Sequence, residues 1–312
     1  MNITEMLAKE FNLKQSQVEQ TVALIDEGNT IPFIARYRKE VTGGLSDVVL
    51  RDMDERLSYL RSLEERKSEV IRLIEEQGKL TPELEEEIKK AEVLQRVEDL
   101  YKPYKKKKAT RASKAKEKGL EPLALIFMKQ EDDAEEPLRV AEKYVNEEKG
   151  VATAEEALQG ACDIIAEMIS DNPELNAKIR EKTIDTGVIN TEAVDKEEST
   201  VYDMYYDYSE AIEKIPNHRI LAINRGEKEK KLKVKVAADI EKMEAVLEEH
   251  VITNEKSPFT EILRQTVSDA YKRLMAPSVE REMRNMLTER AESEAVKVFA
   301  KNTEKLLMVP PV

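Results

Sequence analysis

The amino-acid sequence predicts an all-α protein: a multi-helix body with long strut helices, one small β-hairpin and an inserted helix-turn-helix-like subdomain. Three observations carry that prediction. Charged residues fill 37% of the 312 positions and aromatics only 5%, with nine glycines and no tryptophan, a mixture that favours solvent-laced helices over sheets. Apolar residues recur at steps of three and four over most of the chain, the spacing that lines one face of a helix. Helix-starting and helix-ending residues punctuate those runs.

In chain order, Ser16-Gln17-Val18-Glu19 reads as a capping box, with Val18, Val22 and Ile25 at helical spacing behind it and Gly28 as the stop. Thr30–Ala35 is a short apolar run interrupted by Pro32, followed by Arg36-Tyr37-Arg38-Lys39 and a turn at Thr42-Gly43-Gly44. Ser46 to Gln77 is one long helix carrying Leu50, Met53, Leu57, Leu60, Ile71 and Ile74. At 1.5 Å per residue it spans roughly 45 Å, and its polar stretch Glu64–Lys67 is expected to project into solvent. Gly78 ends it, and Thr81-Pro82 starts the next helix, with threonine as cap and proline in the first turn.

Beyond a basic segment at Lys102–Lys118, Leu138, Ala141, Tyr144 and Val145 mark a helix that ends near Gly150. Thr153-Ala154-Glu155-Glu156 is a second capping box, leading a helix that carries Leu158, Ile165 and Ile169. Asp171-Asn172-Pro173 breaks and restarts the chain within about three residues, and Gly187 closes the following helix; so tight a joint resembles a helix-turn-helix. Residues 220–236 read as the hairpin, with Leu232, Val234 and Val236 alternating with lysines and Asn224-Arg225-Gly226 as its turn. A lone hairpin is marginal, so it is expected to lie on helices. Helices resume near Ala238, then from Ser257-Pro258, and from about Val279 to Leu307. The expected organisation is a body formed by residues 1–119 and 190–312, with 120–189 inserted between its halves.

Composition also excludes function classes. No stretch approaches the roughly 18 consecutive apolar residues of a membrane span, and Met1–Phe11 lacks a signal-peptide pattern, so a cytoplasmic protein is expected. Cys162 is the single cysteine, flanked by Ala161, Ile164 and Ile165, and reads as a buried structural thiol. Two histidines, His218 and His250, and one cysteine do not make a Cys/His zinc site. No phosphate-binding Gly-Lys-Ser/Thr loop or dinucleotide fingerprint is present. No catalytic residue, cofactor or metal is therefore expected, and the chain is not expected to be an enzyme.

The run Asp26–Leu45, containing IPFIARYRKEVTGGL, resembles the signature of the Tex family of bacterial transcription accessory proteins. The resemblance continues at Gln77–Thr81, Glu98–Lys105, Thr110–Ala112 and Gly119–Ala124. It recurs at Asp207–Glu210, Ile215–Arg219 and Pro277–Arg281, in family order across nearly the whole chain. It implies a likeness in architecture to a eukaryotic elongation factor that also chaperones histones. The family continues past a Pro-Pro-Val like Pro310-Pro311-Val312 into a resolvase-like domain, helix-hairpin-helix elements and a C-terminal OB-fold RNA-binding domain, on which its nucleic-acid binding leans. The sequence is accordingly expected to be the N-terminal helical portion, truncated at a domain boundary. It departs from the family at Lys105-Lys106-Lys107-Lys108, where relatives often carry a proline and arginines. Lysine is a point charge where arginine offers a bidentate fork, so phosphate contact here is expected to be less geometrically specific.

Net charge is −13, yet Lys102–Lys118 holds nine cations and one acid, a local +8 that leaves −21 elsewhere. Lys105, Lys106, Lys107, Lys108, Arg111 and Lys114 are candidates to neutralise phosphates, with Tyr101 and Tyr104 as stacking faces. The competing reading is a solvated loop that offsets acids such as Glu131, Asp132, Asp133, Glu135 and Glu136. Arg36, Arg38 and Lys39 form a smaller candidate patch, in which Arg36 is expected to pair with an acid and lock the Pro32 bend. In the helix-turn-helix-like pair, Asn176, Lys178, Arg180 and Lys182 would face bases, diluted by Glu174 and Glu181; packing is the favoured role. Tyr202, Tyr205, Tyr206 and Tyr208 are read as packing residues, because Asp203 and Asp207 would repel phosphates. Two functions follow: a sequence-tolerant scaffold for RNA or DNA, or a protein-interaction scaffold docking its acidic faces on RNA polymerase or ribosome-associated proteins. A monomer is expected.

Overall fold

The computed structural model describes residues 2–105 and 109–308, which fall into two units divided between Lys105 and Lys106. The first contains α1 (Ile3–Glu10), α2 (Gln15–Asp26), α3 (Ile31–Tyr37), α4 (Lys39–Thr42), α5 (Asp47–Glu75), α6 (Pro82–Lys90) and α7 (Leu94–Tyr101). Its organising element is α5, capped by the Ser46 hydroxyl, which accepts from Val49 N at 3.3 Å. Leu50, Met53, Leu57 and Leu60 repeat at steps of three and four and join Leu7, Val18, Val22 and Ile34 in one cluster. One turn on, Leu63, Val70 and Ile74 form a second cluster with Ile88, Val97, Leu100 and Tyr101.

That second cluster corrects the expectation that Glu64–Lys67 projects into solvent. Lys67 is 2% exposed, its ammonium donating to Glu64 Oε1 at 2.8 Å and to the Lys89 carbonyl at 3.0 Å. A polar label conceals its long aliphatic stem, which packs while the ammonium finds partners. Two further readings shift. α2 begins at Gln15, and Gln17 Oε1 rather than Ser16 serves its first turn, accepting from Lys14 N at 3.3 Å. Pro32 lies in the first turn of α3, where its missing N–H costs no hydrogen bond, so the apolar run is a helix and not an interrupted stretch.

The second unit contains α8 (Arg111–Glu117), α9 (Glu121–Lys129), α10 (Pro137–Glu142), α11 (Ala154–Asp171), α12 (Pro173–Thr186) and α13 (Asn217–Lys228). It continues with α14 (Ile240–Val251), α15 (Thr260–Asp269) and α16 (Ala276–Leu307), and its strands are β1 (Val188–Ala193), β2 (Asp207–Ala211) and β3 (Leu232–Ala237). One apolar cluster runs through it from Ala112 to Ala291. α11 sits in the middle, against α8, α9, α10, α12 and α15, and starts as expected with Thr153 Oγ1 accepting from Glu156 N. The joint before α12 is made by Asn172, whose Oδ1 accepts from Glu174 N and Leu175 N.

The expected hairpin is replaced by a three-stranded antiparallel sheet in the order β2-β1-β3, with Thr191 facing both Tyr208 and Val234. Residues 217–228 are helical: Ile220 and Ile223 are buried one turn apart. Gly226, read as a turn residue, is a close-approach residue inside that helix, since a Cβ there would lie 2.7 Å from Leu232 Cδ1. The outer edge of β3 is partly closed by Glu280, whose Oε1 accepts from Val236 N at 3.0 Å. The stretches of family resemblance at Asp207–Glu210 and Ile215–Arg219 are knitted together. The Arg219 guanidinium donates to Tyr208 Oη at 3.0 Å and pairs with Glu210. Tyr202 and Tyr205 are buried, consistent with packing.

Between α15 and α16 the helix widens into a π turn at Ala270–Met275, immediately ahead of Pro277. Proline has no N–H and its ring clashes with the carbonyl four residues back, and a widened turn relieves both. α16 then buries Val279, Met283, Leu287 and Ala291, strictly every fourth residue, and from Glu292 to Met308 no residue is buried.

Two bidentate ion pairs tie α5 to the helices around it: Arg56 to Glu10 at 2.6 Å and Arg61 to Asp26 at 2.6 Å. Hydrogen bonds from these guanidinium groups hold both carboxyls below the usual carboxylate range, despite an opposing contribution from burial. A lowered folded pKa means a stabilisation fully present above the unfolded value, near roughly 4, and lost as pH falls through the lower folded value. Thermal unfolding from pH 7 to pH 3 should therefore show an acid-side loss of stability, and Arg56→Met with Arg61→Met should flatten that limb while leaving the neutral-pH circular dichroism unchanged.

Candidate nucleic-acid interface

The basic segment spans the division between the units. In the first unit Lys105 is exposed, after a short 3₁₀ turn at Lys102–Tyr104. Tyr101 is only 7% exposed, with the Arg66 guanidinium 5.5 Å from its ring centroid, and the Tyr104 carbonyl accepts from Gln77 Nε2 at 2.9 Å. Tyr101 therefore has no face to offer a base, and Tyr104 packs half-buried against the same cluster. Lys106, Lys107 and Lys108 lie outside the described residues.

In the second unit the segment becomes α8. Thr110 caps it: Oγ1 accepts from Ser113 N at 3.0 Å and donates to Glu167 Oε1 at 3.1 Å. Ala112 and Ala115 are buried against α11, while Arg111 and Lys114 are exposed. Three-residue spacing on a helix thus sorts small apolar residues inward and cations outward. The approach is close because Gly160 of α11 has no side chain: a Cβ there would overlap Leu120 Cδ1 and lie 3.3 Å from Ala115 Cβ. Lys118 donates to the Gly150 carbonyl at 2.7 Å and Lys116 pairs loosely with Glu121 at 3.7 Å. Among the described residues Arg111 and Lys114 have no ion pair. They line a shallow cleft with Gln159 and Asp163. Burial holds the Asp163 carboxyl above its ordinary range, against the opposing pull of Arg273 and Arg111.

Two of the five acids expected to offset these cations are engaged elsewhere. Glu135 pairs with Lys143 at 2.8 Å, and Asp132 accepts from Asn254 Nδ2.

The smaller patch is more open than expected. Arg36 is exposed and, among the described residues, pairs with no acid, so it does not lock a bend at Pro32. The Arg38 guanidinium lies 5.1 Å from the Phe33 ring centroid and donates to the Tyr37 carbonyl at 3.1 Å; Lys39 is exposed. The other arginines of this unit are all ion-paired: Arg51, Arg56, Arg61, Arg66, Arg72 and Arg96.

The remaining candidates separate. On α12, Asn176 is buried and donates to the Ser170 and Asn172 carbonyls, and Arg180 pairs with Glu282 at 2.8 Å; both serve packing, leaving Lys178 exposed. Cys162 is half-buried, and burial pushes its thiol above its ordinary range, which disfavours the reactive thiolate. Among the described residues no cluster of His, Cys, Asp and Glu fits a metal ion, and no helix is long and apolar enough to cross a membrane.

Comparison with known families decides the affiliation. A model described as Tex central region-like matches residues 132–299, and one described as Tex-like protein N-terminal domain matches residues 1–75. The chain belongs to the Tex family. Protein YdcI of Bacillus subtilis is 46% identical over 315 residues, 99% of this chain and 43% of the relative. Transcriptional accessory protein Tex of Neisseria gonorrhoeae is 39% identical over 321 residues, covering all of this chain and 42% of the relative. S1 RNA-binding domain-containing protein 1 of Pongo abelii is 30% identical over 330 residues, all of this chain and 32% of the relative. This Tex-family chain thus spans less than half the length of the curated relatives it matches.

The tight α8–α11 contact gives a test. Gly160→Val should cost about 1–3 kcal/mol by overpacking, read as a lowered urea midpoint with unchanged slope.

Proposed function

We propose that this Tex-family chain is a nucleic-acid-associated scaffold of a transcription accessory protein, binding RNA or DNA weakly and without sequence preference through its basic segment. The observation that carries the reading is that, among the described residues, Arg111 and Lys114 stand exposed without an ion pair on a helix anchored by alanines. Lys105 precedes them, and the run continues in sequence through Lys106, Lys107 and Lys108. Cations freed of acid partners exchange mobile counterions for phosphates and release those counterions to solvent, which is the main driving force of sequence-tolerant binding. Relatives whose names describe a transcriptional accessory protein and an RNA-binding protein support the same reading. In this reading the cytoplasm is the site of action, the α11–α12 pair is a packing element and not a base reader, and the chain performs no chemical step.

The acidic remainder of the chain, −21 outside Lys102–Lys118, favours a second role: docking on RNA polymerase or ribosome-associated proteins. Recovery of such components from lysate after nuclease treatment would support it, and recovery of nucleic acid alone would count against it.

Fluorescence anisotropy tests the primary reading. Association with a labelled oligonucleotide should weaken steeply with salt. Arg111→Ala with Lys114→Ala should lower the log–log salt slope on a single strand by about 1.4, since each phosphate contact contributes about 0.7. No association at low salt, or association unchanged when Lys105, Lys106, Lys107 and Lys108 are replaced by glutamate, removes the segment from consideration.

A further inference from the structure

The outer face of α3 carries more than charge. Tyr37 is 61% exposed, and of the ten tyrosines, all within the described residues, it alone is exposed. Its ring centroid lies 5.3 Å from that of Phe33, one helical turn earlier, at a tilt of 44°. The Arg38 guanidinium stands 5.1 Å from the Phe33 centroid. Tilted ring packing and a cation over a ring face are each favourable, so the phenol is braced in one place without being covered. The opposite side of α3 explains why the helix holds this orientation: Ile34 is fully buried in the cluster around α5, and Ile31 and Ala35 pack against the same cluster. Gln17 Nε2 donates to the Thr42 carbonyl at 3.2 Å, which fixes the end of α4 next to it.

Charge completes the picture. Among the described residues Arg36 and Arg38 are the two arginines of the first unit without a carboxylate partner; Arg36 and Lys39 are exposed and Arg38 is half-buried. A single acid, Glu40, adjoins them on α4. An uncovered aromatic face ringed by unpaired cations is the arrangement that receives a base and its flanking phosphates, because every base has a π face and stacking tolerates any sequence. In a duplex both faces of a base are already stacked, so only an unpaired base can use it.

We propose that the outer face of α3 and α4 is a single-strand subsite in which Tyr37 stacks on an unpaired base and Arg36, Arg38 and Lys39 hold the adjoining phosphates. The proposal rests on the scaffold reading above and narrows its ligand to unpaired stretches of RNA or DNA.

The experiment uses the whole chain and three fluorescein-labelled probes: a ten-nucleotide RNA strand, the same strand with its bases removed, and a duplex of that length. The base-bearing strand should bind roughly tenfold tighter than its abasic counterpart, the margin one stacked base provides. Tyr37→Ala should remove that margin and leave abasic and duplex binding unchanged; Tyr37→Phe should retain it. Because Tyr37 is exposed and touches mainly Phe33, the Tyr37→Ala chain should keep the parent's circular dichroism and lose only the small Phe33 contact from its unfolding midpoint. Arg36→Ala should instead weaken the base-bearing and abasic strands alike and lower the salt slope by about 0.7. Equal binding of the base-bearing and abasic strands by the parent chain, or a margin that survives Tyr37→Ala, overturns the subsite. Phosphate contact through the basic segment then stands, and the patch is left as a protein-docking surface. Absence of binding to all three probes at low salt overturns the scaffold reading and the subsite with it.

Discussion

The second unit depends on a limit of volume inside α11. Ala157, Gly160, Ala161, Ile164, Ile165, Ala166 and Ile169 bury this helix on nearly every side, and several of those positions are as small as amino acids allow. Small residues let neighbouring backbones come close, so α8 and Leu120 settle where a larger side chain would hold them off. Protein interiors are packed as densely as organic crystals, and such a contact does not stretch to accommodate an added methyl group. The display of Arg111 and Lys114 follows from it: alanines fill the inward positions of α8, and what remains outward is charge. The position of these cations is therefore set by packing and not by partners of their own.

Most arginines of the first unit are held in ion pairs. Around α5, bidentate contacts such as Arg56–Glu10 and Arg61–Asp26 join helices far apart in sequence, and the exposed side chains involved make each worth little alone. What they do is occupy arginines. Against that background Arg36 and Arg38 stand out because no carboxylate among the described residues pairs with them. A chain of net charge −13 repels polyanions at long range, so any contact with one is confined to short stretches where local cations outweigh the whole, within a screening length of about 8 Å at physiological salt. Concentrated patches are the physical form such binding takes on an acidic protein.

Much of this arrangement is legible in the residues. The stripe Leu50, Met53, Leu57, Leu60 announces α5, Thr81-Pro82 and Thr153 start the helices they were expected to start, and the IPFIARYRKEVTGGL run points to the family. The sheet is less so. β1 reads Val-Ile-Asn-Thr-Glu-Ala, where Thr191 is 1% exposed and polar residues sit on both faces, so alternation does not mark it. Gly226 misleads because glycine serves turns and close approaches alike, and only the neighbour, Leu232, says which. Lys67 misleads because burial of a lysine depends on an acceptor, the Lys89 carbonyl, that lies 22 residues away. At the candidate site, the cations are visible as composition. Whether a given arginine is free depends on carboxylates brought in by the fold, and no local pattern reports that; Arg36, expected to be paired, is the instance.

The spacing of buried residues on α16 has a mechanical meaning. Steps of four residues advance 400°, so a stripe at Val279, Met283, Leu287 and Ala291 winds around the helix by about 40° per step and crosses its supports obliquely. The Arg290 guanidinium, bonded to Asn217 Oδ1 at 3.0 Å and the Ile215 carbonyl at 2.7 Å, marks the last firm attachment. From Ala291 to Leu307 the helix runs roughly 24 Å, with no buried residue after Ala291, which makes it a lever. A tilt of about ten degrees near the Arg290 fulcrum would carry its far end through about 4 Å, about three quarters of the rise of a single helical turn.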